Sequence, residues 1–334
     1  MELIRCKATA RAGLIGNPSD GYHGKTIAVG VPEYFAQVVM YEWEDLELIP
    51  SQEDQSRFKS IDDLAMDVNL HGYYGGIRLV KATIKKFVEF CRGRYDLHNR
   101  NFSIRYESNI PRAVGMAGSS AIIVATLRAL IEFYDIEVPL HIQPSLVLSV
   151  ETDELGIAAG LQDRVIQVYD GLVYMDFAKE RMTLDQGLNC GSYESLSLES
   201  LTNSYVAFNT DAGQPTEVFH NDLRGRFERG ETAVIEAMSQ FAELTDHAKR
   251  AINDGDHELL ANLIDQNFDL RKSICQLPAE QVAMVDAARS VGASAKFAGS
   301  GVGAIVGTYR DEQMLGELHR VLTTLGCEMT LIGT

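Results

Sequence analysis

The chain has 334 residues, of which 46% are hydrophobic and 23% charged, a composition that excludes an intrinsically disordered protein and favours two folded domains. Its 30 lysines and arginines stand against 47 aspartates and glutamates, which gives a net charge of −17. A surface of this sign repels nucleic acids and anionic membranes, so a phosphorylated ligand would need local donors, a cation or a helix N-terminus.

Strands and helices alternate in the first half of the chain. Alternating apolar and polar residues with turn residues between them predict strands at Glu2–Ala10, Thr26–Val31, Phe35–Tyr41 and Glu47–Ile49. Further along, apolar residues three and four apart predict helices, and β-rich runs predict strands between them. The helices cover Ile77–Cys91, 121–133 and 144–155, and the strands cover Phe102–Glu107 and Leu172–Phe177.

The second half of the chain has a different pattern. The stretch from Ala178 to Ser204 is polar and weakly patterned, as is typical of a domain boundary. After it, a strand at Ser204–Thr210 precedes predicted helices at 216–227, 231–253, 256–274 and 279–290, and the chain ends as strand, strand, helix, strand. We therefore predict domains at residues 1–180 and 181–334.

Two glycine-containing loops are candidates for holding a phosphate. The loop from Gly115 to Ser120 opens directly into a predicted buried helix, so its backbone N–H groups and the helix dipole could bind an anion. Composition alone favours a simpler turn in which Ser119 or Ser120 caps the helix. The second loop, at 296–304, has glycines at alternate positions, which suit either a ligand or a plain hairpin turn.

Acidic residues near these loops are candidates for catalysis. Asp20 lies in a turn-rich segment, Glu151 lies at the end of a predicted helix together with two further acids, and Asp163 precedes the apolar run 165–168. Because the chain has 47 carboxylates, spacing alone does not separate a catalytic acid from a solvated one.

Cysteine usage and the first residues of the chain indicate the compartment. The five cysteines lie far apart with no C-x-x-C pair, which argues against a disulfide or zinc framework. The first residues, MELIRCKATARAG, contain no apolar run of the kind found in a signal peptide, and no stretch has the length and hydropathy of a membrane span. We expect a cytoplasmic protein.

Three separated motifs, taken together, resemble those of the GHMP kinases, the small-molecule kinases that include galactokinase, homoserine kinase and mevalonate kinase. They are RAGLIGNPSD at 11–20, PRAVGMAGSSA at 111–121 and KFAGSGVGA at 296–304. Within this family the chain is most similar to the glucuronokinase branch, through LIGNPSDGYHGKTI, YYGGIRL, NIPRAVGMAGSSAI and GLQDRVIQVYDGLVYMDF. The resemblance covers nearly the whole chain. It implies an α+β fold with an N-terminal nucleotide-binding domain and a C-terminal ferredoxin-like domain.

The resemblance also implies roles for individual residues. Asp163 would be the catalytic acid of the family and Arg11 would stabilise charge at the reacting centre, while Ser119 and Glu151 would bind Mg²⁺. The second motif holds one residue more than the common family pattern, so Ser120 is an alternative to Ser119. The phosphates of ATP would lie on Pro111, Gly115, Met116, Ala117, Gly118, Ser119 and Ser120. The acceptor would contact Asn17, Asp20, Arg78 and Gly301.

The implied reaction is the ATP-dependent phosphorylation of a sugar hydroxyl. Asn17-Pro18 stands where galactokinases have Glu-His, which counts against galactose. The resemblance to the glucuronokinase branch implies glucuronate as the acceptor and glucuronate 1-phosphate as the product. A uronate carboxylate requires a cation, and Lys25, Arg78, Arg112 and Arg164 are the candidates near the motifs. The alternatives are a sugar 1-kinase for a hexose or heptose, or a non-catalytic sensor that binds ATP and sugar.

Overall fold

The computed structural model describes residues 3–50, 75–210, 217–299 and 303–333. The first half of the chain builds a six-stranded sheet around the long strand β2 (Lys25–Trp43). β1 (Leu3–Ile15) pairs antiparallel with β2 over most of its length. Pro32 lies in a bulge of this pairing, between Val31 and Phe35, where its missing N–H removes no ladder hydrogen bond.

The remaining strands of this sheet extend from the edge of β2 opposite β1. β4 (Asn101–Ser108) pairs with the second half of β2 and carries β3 (Glu47–Ile49) on its outer edge, and β5 (Leu172–Asp176) pairs with the first half. β6 (Thr183–Asp185) and β7 (Leu188–Cys190) form a separate hairpin. β8 (Ser192–Leu196) returns to pair with β5.

Helices bury the apolar side of this sheet. α1 (Gly76–Cys91) and α2 (Gly118–Phe133) pack against each other, and α2 also packs against β1 and β2. α2 has buried side chains around almost its whole circumference, as expected for a helix in the middle of a core. α3 (Gln143–Ser149) and α4 (Gln162–Tyr169) complete this layer.

The second half forms an antiparallel four-stranded sheet with helices. Its order is β10 (Lys296–Phe297), β11 (Ala304–Thr308), β9 (Ser204–Phe208), β12 (Glu328–Ile332). The helices are α5 (Glu217–Glu228), α6 (Thr232–Asp254), α7 (His257–Ile274), α8 (Ala279–Ser290) and α9 (Glu312–Thr324). Residues of α7, α8 and α9 cover one face of this sheet, while alternate residues such as Val206 and Val306 join the core of the first half.

The predicted α+β class is confirmed, and several element limits differ from the sequence prediction. β1 continues to Ile15, so Arg11 lies on a strand, and the two strands predicted at 26–41 form one strand. The helix predicted at 144–155 ends at Ser149 and continues as a wider π turn at Val150–Glu154. None of the described helices is both long and apolar enough to span a bilayer.

The division of the chain at residue 180 stays a prediction. β8 lies beyond that position and still belongs to the first sheet. We therefore propose that the domain boundary falls between Leu196 and Ser204, where β9 begins the second sheet.

Candidate active site

Arg11 connects all three glycine-containing motifs through one buried guanidinium group. Its Nε and Nη2 donate to the two carboxylate oxygens of Asp163 at 2.6 and 2.8 Å. Its Nη1 donates to the carbonyl oxygens of Gly115 at 2.6 Å and Ala298 at 3.2 Å. The backbone N–H of Arg11 also donates to the carbonyl of Met116. Predicted site residues from distant parts of the chain therefore meet around a single side chain.

Asp163 is placed by the short helix α4. Val165 and Ile166 pack in one apolar cluster with Ala28 of β2 and Val173 of β5, which fixes the helix against the sheet. Asp163 lies in the first turn of α4, where the helix dipole favours a negative charge. Its side chain is 21% exposed, so the carboxylate remains within reach of a ligand.

Two neighbouring carboxyl groups have pKa values shifted in opposite directions. Burial would raise the pKa of Asp163, but the charge and hydrogen bonds of Arg11 lower it to about 2. Burial and the charge of Asp163 raise the pKa of Asp20 to about 6. Asp20 lies so close to Gly160 that a Cβ atom there would be 2.3 Å from its Oδ2. The site thus combines a permanently ionised carboxylate with one that titrates near neutrality.

The loop that precedes α2 has the backbone geometry of an anion site. Ala113, Gly115 and Ala117 all have positive φ, and α2 begins at Gly118 without a side-chain cap. The first N–H groups of α2 therefore have no capping side chain to accept from them, and the positive end of the helix dipole lies there. Such a terminus binds phosphate readily. The cap considered from the sequence, a serine at 119 or 120, is not formed.

The two serines of this loop differ in accessibility. Ser119 is exposed on the first turn of α2, whereas Ser120 is buried and its Oγ donates to the carbonyl of Ala117 at 3.2 Å. The hydroxyl of Ser119 is therefore the one that can reach a ligand or cation at the helix N-terminus.

Glu151 is held by Arg164. Glu151 is 2% exposed in the π turn that follows α3, and Arg164 donates to its Oε2 through Nε at 2.5 Å and also through Nη2. The Nη1 group of Arg164 donates to the carbonyl of Gly160 and lies 3.4 Å from Asp163. Burial raises the pKa of Glu151, and the charge of Arg164 opposes that rise. Arg164 was predicted only as a partner of a uronate, and its bond to Glu151 was missed.

This carboxylate fits a magnesium ion as a ligand whose orientation is fixed by a second residue. Both contacts of Arg164 use Oε2, and no hydrogen bond between described residues uses Oε1 of Glu151. Carboxylates that bind metals are commonly oriented by a hydrogen bond of this kind. Among the described residues, no group of three or more His, Cys, Asp or Glu side chains is arranged to hold a metal ion.

The predicted acceptor residues lie in different surroundings. Asn17 is buried at the end of the first motif, close to Asp20 in sequence. Arg78 is exposed near the start of α1, with Nη2 3.4 Å from the carbonyl of Leu155, so its role stays a prediction. Gly301 lies outside the described residues.

The other two candidate cations for a uronate are Lys25 and Arg112, and their roles stay predictions. Lys25 forms an ion pair with Asp246 at 2.7 Å, and Arg112 is exposed.

Sequence reasoning missed two residues of this site, Lys296 and Gln162. Lys296 opens the third motif and is 1% exposed beside Asn17. Gln162 directly precedes Asp163, and its polar groups favour the ionised forms of both Asp163 and Asp20, which acts to lower their pKa values. The sequence offered two signals: Lys296 directly precedes the glycine-containing loop of the third motif, and Gln162 directly precedes the predicted catalytic acid.

Comparisons with known proteins identify the family of the chain. Residues 78–171 match the model of the GHMP kinases N terminal domain. Glucuronokinase 1 of Arabidopsis thaliana is 39% identical over 91% of this chain and 84% of its own length, and Probable glucuronokinase 2 of the same plant is 38% identical over 90% and 82%. The crystal structure of Lactococcus lactis galactokinase complexed with galactose superposes with a TM-score of 0.77 at 17% identity, covering 100% of this chain and 94% of the galactokinase.

Proposed function

The chain belongs to the GHMP kinase family, together with the two Arabidopsis glucuronokinases, and we propose that it phosphorylates glucuronate to glucuronate 1-phosphate with ATP as the donor. It is a kinase that transfers a phosphoryl group to a sugar hydroxyl. The observation that carries the proposal is the bidentate pair of Arg11 and Asp163, which lies against the loop preceding α2. This geometry supports the proposal, because phosphoryl transfer would need an ionised carboxylate and a guanidinium beside the bound phosphates.

The nucleotide would bind at the N-terminus of α2. The loop from Pro111 to Ser120 presents backbone N–H groups, and the absence of a capping side chain leaves those groups to the phosphates. This local site offsets the repulsion that a chain of net charge −17 exerts on ATP.

The structure suits Mg²⁺ as the accompanying cation. Ser119 and Oε1 of Glu151 would hold it, with Arg164 orienting Glu151. When bound, the ion offsets the negative charge of the phosphates.

Asp163 would orient the acceptor hydroxyl and receive its proton late in the transfer. A carboxylate with a pKa of about 2 is a weak base, so it does not deprotonate the hydroxyl in the ground state. In a loose phosphoryl-transfer transition state the nucleophile needs little prior activation, and positioning matters more. Arg11 keeps this carboxylate ionised and aligned. Asp20 would accept hydrogen bonds from the sugar hydroxyls.

Ser119 should prove to be the magnesium serine. We expect Ser119→Ala to raise the Mg²⁺ concentration needed for half-maximal rate by about 10-fold or more, because it removes an oxygen ligand. Ser120→Ala should leave this concentration within about 2-fold, because the Ser120 hydroxyl is already bound to Ala117. Titration of the rate with Mg²⁺ at saturating ATP measures both, and a larger effect at Ser120 would reverse the assignment.

A product analysis tests the proposed function directly. Purified protein with ATP and Mg²⁺ is offered glucuronate, galactose, glucose and mannose-type heptoses, and the products are identified by mass and by phosphorus NMR. We expect glucuronate to be consumed fastest and its phosphate to be attached at the anomeric oxygen. If only a neutral sugar were phosphorylated, that sugar would be the acceptor and the assignment of glucuronate would be wrong. Binding of ATP and sugar without turnover would favour a sensor.

A further inference from the structure

Lys296 is a buried lysine without a carboxylate partner among the described residues. Its Nζ donates to the carbonyl oxygens of Gly13 at 2.5 Å and Phe297 at 2.9 Å, and to Oδ1 of Asn17. All of these acceptors are formally neutral. Burial and the charges of Arg271 and Arg11 lower the pKa of Lys296 well below its usual range. The three oxygen acceptors match the three N–H groups of an ammonium, whereas the lowered pKa means that this charge costs free energy in the free protein and would be stabilised by a negatively charged ligand.

The contact with Lys296 fixes the orientation of the Asn17 amide. An ammonium group only donates, so the Asn17 atom that faces it must be the oxygen, and Nδ2 points the other way. Nδ2 is buried and has no hydrogen-bond partner in the part of the chain that the structure describes. A buried donor without an acceptor destabilises the free protein and stabilises a complex whose ligand supplies an acceptor.

This orphaned donor lies beside the reacting groups. A Cβ atom built on Gly13 would be 2.9 Å from Nε2 of Gln162 and 3.3 Å from Cγ of Asn17, so the two amides flank the same glycine. Gln162 directly precedes Asp163, and the carbonyl of Ala298 accepts both from the backbone N–H of Gly13 and from Nη1 of Arg11. Asp163 and Glu151 are already matched by Arg11 and Arg164, whereas the charge of Lys296 is not matched in this way.

We propose that Asn17 and Lys296 form the subsite for the negatively charged group of the acceptor, an inference that rests on the proposed function. Nδ2 of Asn17 donates to the carboxylate of the uronate. Lys296 acts as a positioning residue that aims the amide and polarises it, which makes Nδ2 a stronger donor. The uronate carboxylate brings the counter-charge that Lys296 lacks. A neutral group at the same place accepts the hydrogen bond from Nδ2 of Asn17 but leaves the charge of Lys296 uncompensated. The subsite therefore selects a negatively charged acceptor.

The test compares glucuronate with glucuronamide, its neutral isostere, as acceptors. Asn17→Asp keeps the shape and the contact with Lys296 but replaces the donor by a negative oxygen. We expect the ratio of kcat/KM for glucuronate to that for glucuronamide to fall by about 100-fold or more, because like charges then meet in the site. We also expect the melting temperature of the free protein to hold or rise, since Lys296 gains a carboxylate. That second readout distinguishes lost recognition from lost folding.

Two further variants complete the experiment. Lys296→Met should lower the same ratio by about 10-fold or more, because charge compensation is lost. The effect should appear as a higher KM for glucuronate. The matched control is Asn189→Asp, which adds the same charge at an exposed residue of the separate hairpin of β6 and β7, and it should leave the ratio unchanged. If Asn17→Asp left the ratio unchanged and the wild type still phosphorylated glucuronate, the subsite proposal would be overturned and the proposed function would stand. Failure of the wild type to use glucuronate would overturn both.

Discussion

Replacing Asp163 by asparagine should lower kcat by about 10²–10⁴-fold, the usual contribution of a positioned proton acceptor. Asparagine keeps the size of the side chain but loses the negative charge and one of the two acceptors that Arg11 uses. Binding of a nonhydrolysable ATP analogue should stay within a few-fold, because the proposed phosphate contacts come from the loop before α2. Steady-state kinetics and calorimetry give these two quantities separately.

A surface aspartate provides the control for this substitution. Asp185 forms an exposed pair with His141 in the same half of the molecule, so Asp185→Asn removes a carboxylate without touching the site. We expect its kcat to match the wild type. Near-normal turnover by Asp163→Asn would remove Asp163 from the proposed role and leave Asp20, whose pKa of about 6 makes it the stronger base, as the next candidate.

The elements that could be predicted from sequence are those set by local patterns. The apolar run from Ala121 to Phe133 has no internal glycine or proline, and it forms the buried helix α2. The limits of the π turn at Val150–Glu154 could not be predicted, since an apolar spacing of three and four does not report a locally widened turn. The continuity of β2 through Pro32 depends on a bulge in its pairing with β1, which is a tertiary feature.

The candidate site divides in the same way. Its motifs could be recognised from the sequence because glycines and small residues cluster in them. The connections made by Arg11 could not, because they join positions 104, 152 and 287 residues apart in the chain. The pairing of Arg164 with Glu151 depends on how the short helix α4 meets the π turn, and the burial of Lys296 depends on contacts with Gly13 and Asn17 in the other half of the chain. Charged residues in a sequence are usually solvated, so such contacts have no local signature.

Arg11→Met should destabilise the protein by about 3–5 kcal/mol, the typical effect of removing one partner of a buried ion pair. In this variant the carboxylate of Asp163 loses the guanidinium of Arg11, and the carbonyls of Gly115 and Ala298 lose their hydrogen-bond donor. Denaturant unfolding measures the change in the free energy of unfolding. The double variant Arg11→Met, Asp163→Asn carries no stranded charge, so we expect it to lose about 1–3 kcal/mol less than the sum of the single variants.

The pH dependence of the same measurement identifies the ion pair as the cause. Arg11 holds the pKa of Asp163 at about 2, below the ordinary value of 3.8, so the pair stabilises the wild type above about pH 4 and that stabilisation is lost as the pH falls toward 2. The difference in unfolding free energy between wild type and Arg11→Met should therefore shrink over this interval. A difference that stays constant from pH 5 to pH 2, or single-variant effects that simply add, would show that Arg11 contributes only packing and backbone hydrogen bonds, and the charge pairing on which the proposed function rests would have to be abandoned.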